Sequence, residues 1–163
     1  MPSLAEGGPR GVEPAAVVVR RAARADAAAV AALLGALGYP VEPGAAAARL
    51  DALLGSARDA VLAAEAGGEV LGVLALHWGA MLHLPAPVAR IGSLVVAEAA
   101  RGRGVGALLV REAAALAAAE GCVELELTTG MRRHAAHAFY AAQGFAWTSL
   151  RFGRPLGGKE GAR

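Results

Sequence analysis

The stretch Leu94-Val95-Val96-Ala97-Glu98-Ala99-Ala100-Arg101-Gly102-Arg103-Gly104-Val105-Gly106 runs from an apolar strand-like segment into a turn built of glycine and arginine. Beyond it, Ala107 to Glu120 has helical composition and Gly121 stops it; Val123 to Thr129 then alternates Glu124 and Glu126 with apolar residues, a strand pattern. The turn therefore joins a strand to a helix. Glycines there permit tight backbone turns and close approach of a ligand, and the helix start offers unpaired amides at the positive end of its dipole. Such a place suits a phosphate or pyrophosphate, with Arg101 and Arg103 as side-chain partners. An ordinary tight strand-to-helix turn has the same residues.

Two phosphate motifs fit badly. A P-loop needs Gly-Lys followed by Ser or Thr, and the turn has no lysine. A dinucleotide fingerprint belongs after the first strand of its unit, whereas this turn follows the fourth predicted strand and leaves too little chain for a full dinucleotide fold.

Outward from the turn, the elements fall in a mixed order. Val17 to Val19 predicts a first strand, and Ala27 to Leu37 a helix with Asp26 as its cap and Gly38 and Pro40 as its stop. A second helix spans Ala45 to Ser56. Val61 to Glu65 and Val70 to His77 flank Gly67-Gly68, a strong hairpin signal. Met81 to Pro87 is a proline-bearing loop, Arg90 to Val96 a strand, His134 to Gln143 a helix ended by Gly144, and Phe145 to Phe152 a final strand. The sum is an α/β domain around one mixed sheet, with no repeat.

Composition narrows the classes. The chain has 163 residues, enough for one domain with a core, and 56% are apolar. Much of that is alanine, which fills helices cheaply and says nothing of chemistry. The one cysteine, Cys122, excludes a disulfide framework and fits a reducing, cytoplasmic setting. No uninterrupted apolar run has membrane-spanning length, and Met1 to Pro14 lacks the pattern of a signal peptide, so no membrane partner is expected. A net charge of +2 with scattered arginines argues against a nucleic-acid partner. His134 and His137 lack a third ligand, so no metal is expected. Residues 1–14 read as a flexible tail, 15–153 as the domain and 154–163 as a second flexible tail.

Arg101, Gly104 and Gly106 match in register the acetyl-CoA signature of the GCN5-related N-acetyltransferase (GNAT) superfamily, which the sequence resembles. Leu94-Val95-Val96 resembles its apolar fourth strand, and His137-Ala138-Phe139-Tyr140 followed by Gln143-Gly144-Phe145 resembles its second block. The resemblance runs from about Val17 to Phe152. It implies a GNAT-like fold whose parallel fourth and fifth strands, Arg90 to Val96 and Val123 to Thr129, splay to admit pantetheine. It further implies that Leu94, Val95 and Val96 bind the cofactor, with the Val96 amide facing the thioester carbonyl. Arg101, Gly102, Arg103, Gly104, Val105 and Gly106 would take the pyrophosphate.

The implied activity is direct transfer of the acetyl group of acetyl-CoA to a primary amine of a small molecule or peptide. Tyr140 occupies the place where the family often protonates the departing thiolate, or it merely packs helix on sheet. Many relatives carry a basic Glu on the fourth strand; here Arg90 stands where it is sought. Glu124, Glu126, Ser93 through water, and His83 remain as bases, or none is needed. Arg133 replaces an Asn that contacts cofactor in many relatives. The acceptor is expected between the first two helices and the loops at 39–43 and 77–87, with Tyr39, Glu42, His77, Trp78 and His83. Homodimers are frequent in the family. The other reading is a regulatory module that binds acetyl-CoA without transferring it.

Overall fold

Gly67 and Gly68 both adopt positive φ, 58° and 84°, as a two-residue hairpin turn requires. The computed structural model describes residues 15–156, and this hairpin is the centre of its sheet. Strand β2 (Asp59–Ala66) and strand β3 (Glu69–Gly79) pair antiparallel across it. Strand β1 (Val18–Arg21) adds to β2, and strand β4 (Val88–Val96) adds antiparallel to β3. Strand β5 (Glu124–Leu127) then pairs parallel to β4, giving the order β1-β2-β3-β4-β5.

Helices cover both faces. Helix α1 (Ala27–Ala36) and helix α2 (Pro43–Leu54) bury Val30, Leu33 and Leu50 with Val61, Val73 and Val95 of the strands. Helix α3 (Val105–Ala119) packs Val105, Leu109 and Ala113 on the other face, against Leu74, Leu76 and Ile91. Helix α4 (His134–Ala142) follows β5 and sets Phe139 against that second core. Leu109 is fully buried, and burying such a side chain contributes about 1.5–3 kcal/mol. Alanine serves strands as well as helices: Ala63, Ala64, Ala89 and Ala113 are each completely buried.

The helix ends follow their glycines. Gly144, at φ 86°, closes α4: the Phe145 amide donates to the Tyr140 carbonyl at 3.0 Å and the Phe145 ring meets the Tyr140 ring edge-on. That is the Schellman pattern with its apolar contact. It gives the Gln143-Gly144-Phe145 block a structural reason. Asp26, expected as a helix cap, makes no capping bond to α1. Instead it is buried and receives Arg20 through both terminal guanidinium nitrogens, at 2.7 and 2.9 Å, together with the Ala23 amide at 2.7 Å.

The largest departure lies at the end. No strand forms over 145–152, despite alternating Phe145, Trp147 and aliphatic residues. A strand needs a partner ladder, and this segment is instead fixed by side-chain bonds, Trp147 to the Ser149 carbonyl and Arg151 to Thr128. Residues 15–153 otherwise hold all the regular structure among the described residues. The tail 1–14 lies outside them, as does 157–163 of the second tail; 154–156 is described and has no regular structure. Among the described residues no helix is long and apolar enough to cross a membrane.

Candidate active site

The site begins where the sheet opens. β4 and β5 pair only from Val88↔Glu124 to Ile91↔Leu127, so Gly92 to Val96 have no partner on β5. The two strands splay at that point. The Ala97 amide donates to Leu71 on β3, so alternation turns the Val96 and Leu94 peptide groups away from β3, into the gap. The Arg101 Nε accordingly reaches the Val96 carbonyl from the gap side, at 3.3 Å.

An extra residue decides which side chains surround the opening. Ala75 pairs with Ser93 but Leu76 with Ile91, so Gly92 is a bulge. Ala89 and Ile91 face α3; past the bulge the parity reverses, and Leu94 and Val96 take that face. Val95 packs under α1 and α2, and Ser93 lines the cleft on the same side. A one-residue slip moves every side chain to the opposite face.

The glycine turn lies at the exit of β4. Gly102 and Gly104 take φ 72° and 79°, with open space where a Cβ would point. Gly104 is the residue before α3, and no side chain caps the helix, so its first amides face outward without an intrahelical partner. Gly106 serves another purpose: a Cβ there would stand 3.2 Å from the Phe139 ring and 3.7 Å from Val96. It lets α3, α4 and β4 meet. Arg101 and Arg103 are exposed beside the turn. An uncapped, glycine-turned helix start beside an open strand gap fits a pyrophosphate with a thioester arm, so these residues would hold acetyl-CoA.

Tyr140 lies on α4 with its ring between Phe139 and Phe145, centroids 5.1 and 5.8 Å away. Burial raises its phenol above the ordinary value, opposed by the nearby Arg133 charge. Its hydroxyl bonds to no other described residue and stays protonated at neutral pH. Cys122 is half-buried, and burial, then the Glu120 charge, raises its thiol, so it is a poor nucleophile at neutral pH.

On the α1/α2 side a cleft of about 880 Å³ runs from those helices to the opening between β4 and β5. Ser93, Thr128, Arg133 and Tyr39 line it. The other expected acceptor residues do not. Trp78 faces α3 in the core, His77 binds Asp59 at 3.0 Å, His83 is exposed on its loop, and Glu42 precedes α2 outside the lining. Glu124 is exposed at the start of β5. Glu126 faces Arg90 across the β4–β5 pair and binds it at 2.6 Å, so the arginine in the expected glutamate position is half of an ion pair. His137 contacts the Gly130 carbonyl at 3.0 Å, a structural tie at the β5–α4 turn.

Sequence reading missed Arg49, Thr128, Thr129 and Arg151 as cleft residues. Thr129 also has a buried hydroxyl without a partner among the described residues. Nothing local distinguishes these residues; only the approach of α2, β5 and the 145–153 segment gathers them.

Comparison with known proteins agrees with this geometry. A 25% identical structure of a transcriptional regulator from Bacillus halodurans C-125 superposes with a TM-score of 0.80, covering 86% of this chain and 100% of its own. An aminoglycoside N-acetyltransferase solved with CoA shares the fold at 21% identity and a TM-score of 0.78, over 91% of this chain and 98% of its own. The aminoalkylphosphonate N-acetyltransferase of Salmonella typhimurium is 35% identical over 89 residues, 55% of this chain. That match spans 58% of the relative's length. The model of the acetyltransferase (GNAT) family matches residues 28–145, from α1 through the strand gap to the end of the α4 cap. With the splayed strands, the glycine turn and the tyrosine block in their places, this chain belongs to the GNAT acetyltransferase family.

Proposed function

We propose that this acetyltransferase moves the acetyl group of acetyl-CoA directly to a primary amine of a small molecule or peptide, without an acyl-enzyme. The observation that carries the reading is the unpaired edge of β4 from Gly92 to Val96, ending beside the uncapped start of α3. Amides from Gly102 to Gly106, with the Arg101 and Arg103 side chains beside them, take the pyrophosphate, and Leu94, Val95 and Val96 line the thioester arm. The Val96 amide donates toward the carbonyl oxygen where negative charge develops.

The amine loses a proton to water, and its nitrogen lone pair forms the new C–N bond as the C–S bond breaks. The second amine proton leaves through water held at Ser93. Tyr140 gives its phenolic proton to the departing sulfur and regains one from solvent, so the products are an amide, free CoA thiol and one proton. Glu126 is engaged by Arg90 and Glu124 is exposed at the paired end of β5, so this reading gives neither a proton-transfer role. Release of free thiol, followed with acetyl-CoA and a panel of primary amines, tests the reading. Amine-independent release, or none at all, overturns it.

A second reading is a module that binds acetyl-CoA without transfer; β4 carries no carboxylate, and Glu126, opposite Arg90 on β5, is held in an ion pair, which favours it. Tight acetyl-CoA binding in calorimetry with no acetylated product from any amine or peptide N-terminus would select it.

A further inference from the structure

The charged side chains of the cleft are all of one sign. Arg49 from α2, Arg133 at the start of α4 and Arg151 from the C-terminal segment line it, and no Asp or Glu does. Elsewhere Arg20, Arg24, Arg90 and Arg111 each pair with a carboxylate. Among the described residues none of the three cleft arginines has a carboxylate partner; Arg151 donates only to the Thr128 hydroxyl, at 3.2 Å. Leu34, Leu37 and Leu53 add apolar surface to the same lining.

We infer that the acceptor is an amine carrying an oxyanion, carboxylate or phosphonate, at its other end, and that Arg49, Arg133 and Arg151 bind that oxyanion. The inference rests on the acetyl-transfer reading. Guanidinium groups present paired donors matched to such oxyanions, and the Thr128 hydroxyl on the same lining supplies a neutral one. A short hydrocarbon spacer lies along the leucines while the amine reaches the strand gap. A polycationic acceptor meets three like charges with no carboxylate on the lining to offset them, which disfavours it.

The test compares amines of matched length with saturating acetyl-CoA: aminopropylphosphonate, aminobutanoate, butylamine and diaminobutane. Both anionic amines are expected to exceed butylamine in kcat/KM by about tenfold or more, and diaminobutane by a wider margin, because charge-assisted hydrogen bonds are the stronger class. The order of the two anionic amines tells a tetrahedral from a planar oxyanion. In Arg49→Gln, Arg133→Gln and Arg151→Gln, the ratio of anionic to neutral kcat/KM should fall about tenfold for each. Preference for butylamine or diaminobutane overturns the inference and leaves acetyl transfer standing. So does a rise confined to the KM for acetyl-CoA with the ratio intact, which would assign the arginines to the CoA phosphates. No product from any of the four, with acetyl-CoA still bound in calorimetry, overturns this inference and the acetyl-transfer reading together.

Discussion

Replacing Asp26 with Asn strips the charge from a carboxylate that is 8% exposed and accepts three hydrogen bonds, two of them from Arg20. Asn keeps the shape and one acceptor but turns an amide donor toward a guanidinium donor. Breaking a buried pair from one side costs about 3–5 kcal/mol. Here the Arg20 side chain is 37% exposed and keeps Glu65 at 2.6 Å, so water and Glu65 absorb part of the loss. About 2 kcal/mol remains, which in a chain of this size lowers Tm by roughly 4–8 °C. The pH dependence has a definite sign. Hydrogen bonds from Arg20, outweighing the opposing effect of burial and aided by the Ala23 amide, hold Asp26 below the ordinary carboxylate range. Its stabilisation is therefore complete above about pH 4 and is lost as pH falls through the lower folded-state value. Thermal melts of parent and Asp26→Asn from neutral to acid pH check this, and their gap should close on acidification. A gap that stays constant, or a variant melting with the parent at neutral pH, refutes the reasoning.

Tyr140→Phe should lower kcat by about 10² while moving the KM for acetyl-CoA less than about threefold, since only the hydroxyl proposed as general acid is removed. Because burial raises the phenol, the parent should keep its turnover to beyond about pH 10, and any alkaline decline due to this group should vanish in the variant. Gly104→Ala should cost about 1–2 kcal/mol in urea unfolding and raise the KM for acetyl-CoA, because φ is 79° there although the space is open. Gly106→Ala gains helix propensity of about 1 kcal/mol but crowds the Phe139 ring, so its stability should change less; equal losses at both positions would contradict the distinction. Glu126→Gln should retain kcat within about threefold, as befits a carboxylate engaged by Arg90 on a partly exposed strand pair, and a loss of about 10² would restore it as the base.

Local chemistry made much of this protein legible. Gly67-Gly68 announces a hairpin because two positive φ values suit few other residues, and Gly144 announces the end of α4 for the same reason. The turn from Arg101 to Gly106 shows in the sequence because Gly102 and Gly104 take positive φ there, and glycine records what backbone must do. Phe145 to Phe152 misled because alternation measures a preference for pleated surface, while a strand exists only where a ladder receives it.

The sequence by itself thus determined the types of the main elements as far as Gly144, the glycine-turned start of α3 and the tyrosine block, all of them properties of contiguous residues. Tertiary structure decided the rest. Gly92 becomes a bulge only through its pairing with β3, and that single residue brings Ser93 to the cleft side. Arg90 becomes an ion pair only because β5 sets Glu126 opposite it. Arg49, Arg133 and Arg151 lie some 18 to 102 positions apart in the chain and acquire a common meaning only when α2, α4 and the C-terminal segment line one cleft. Charge acts through space, and sequence order does not record distance.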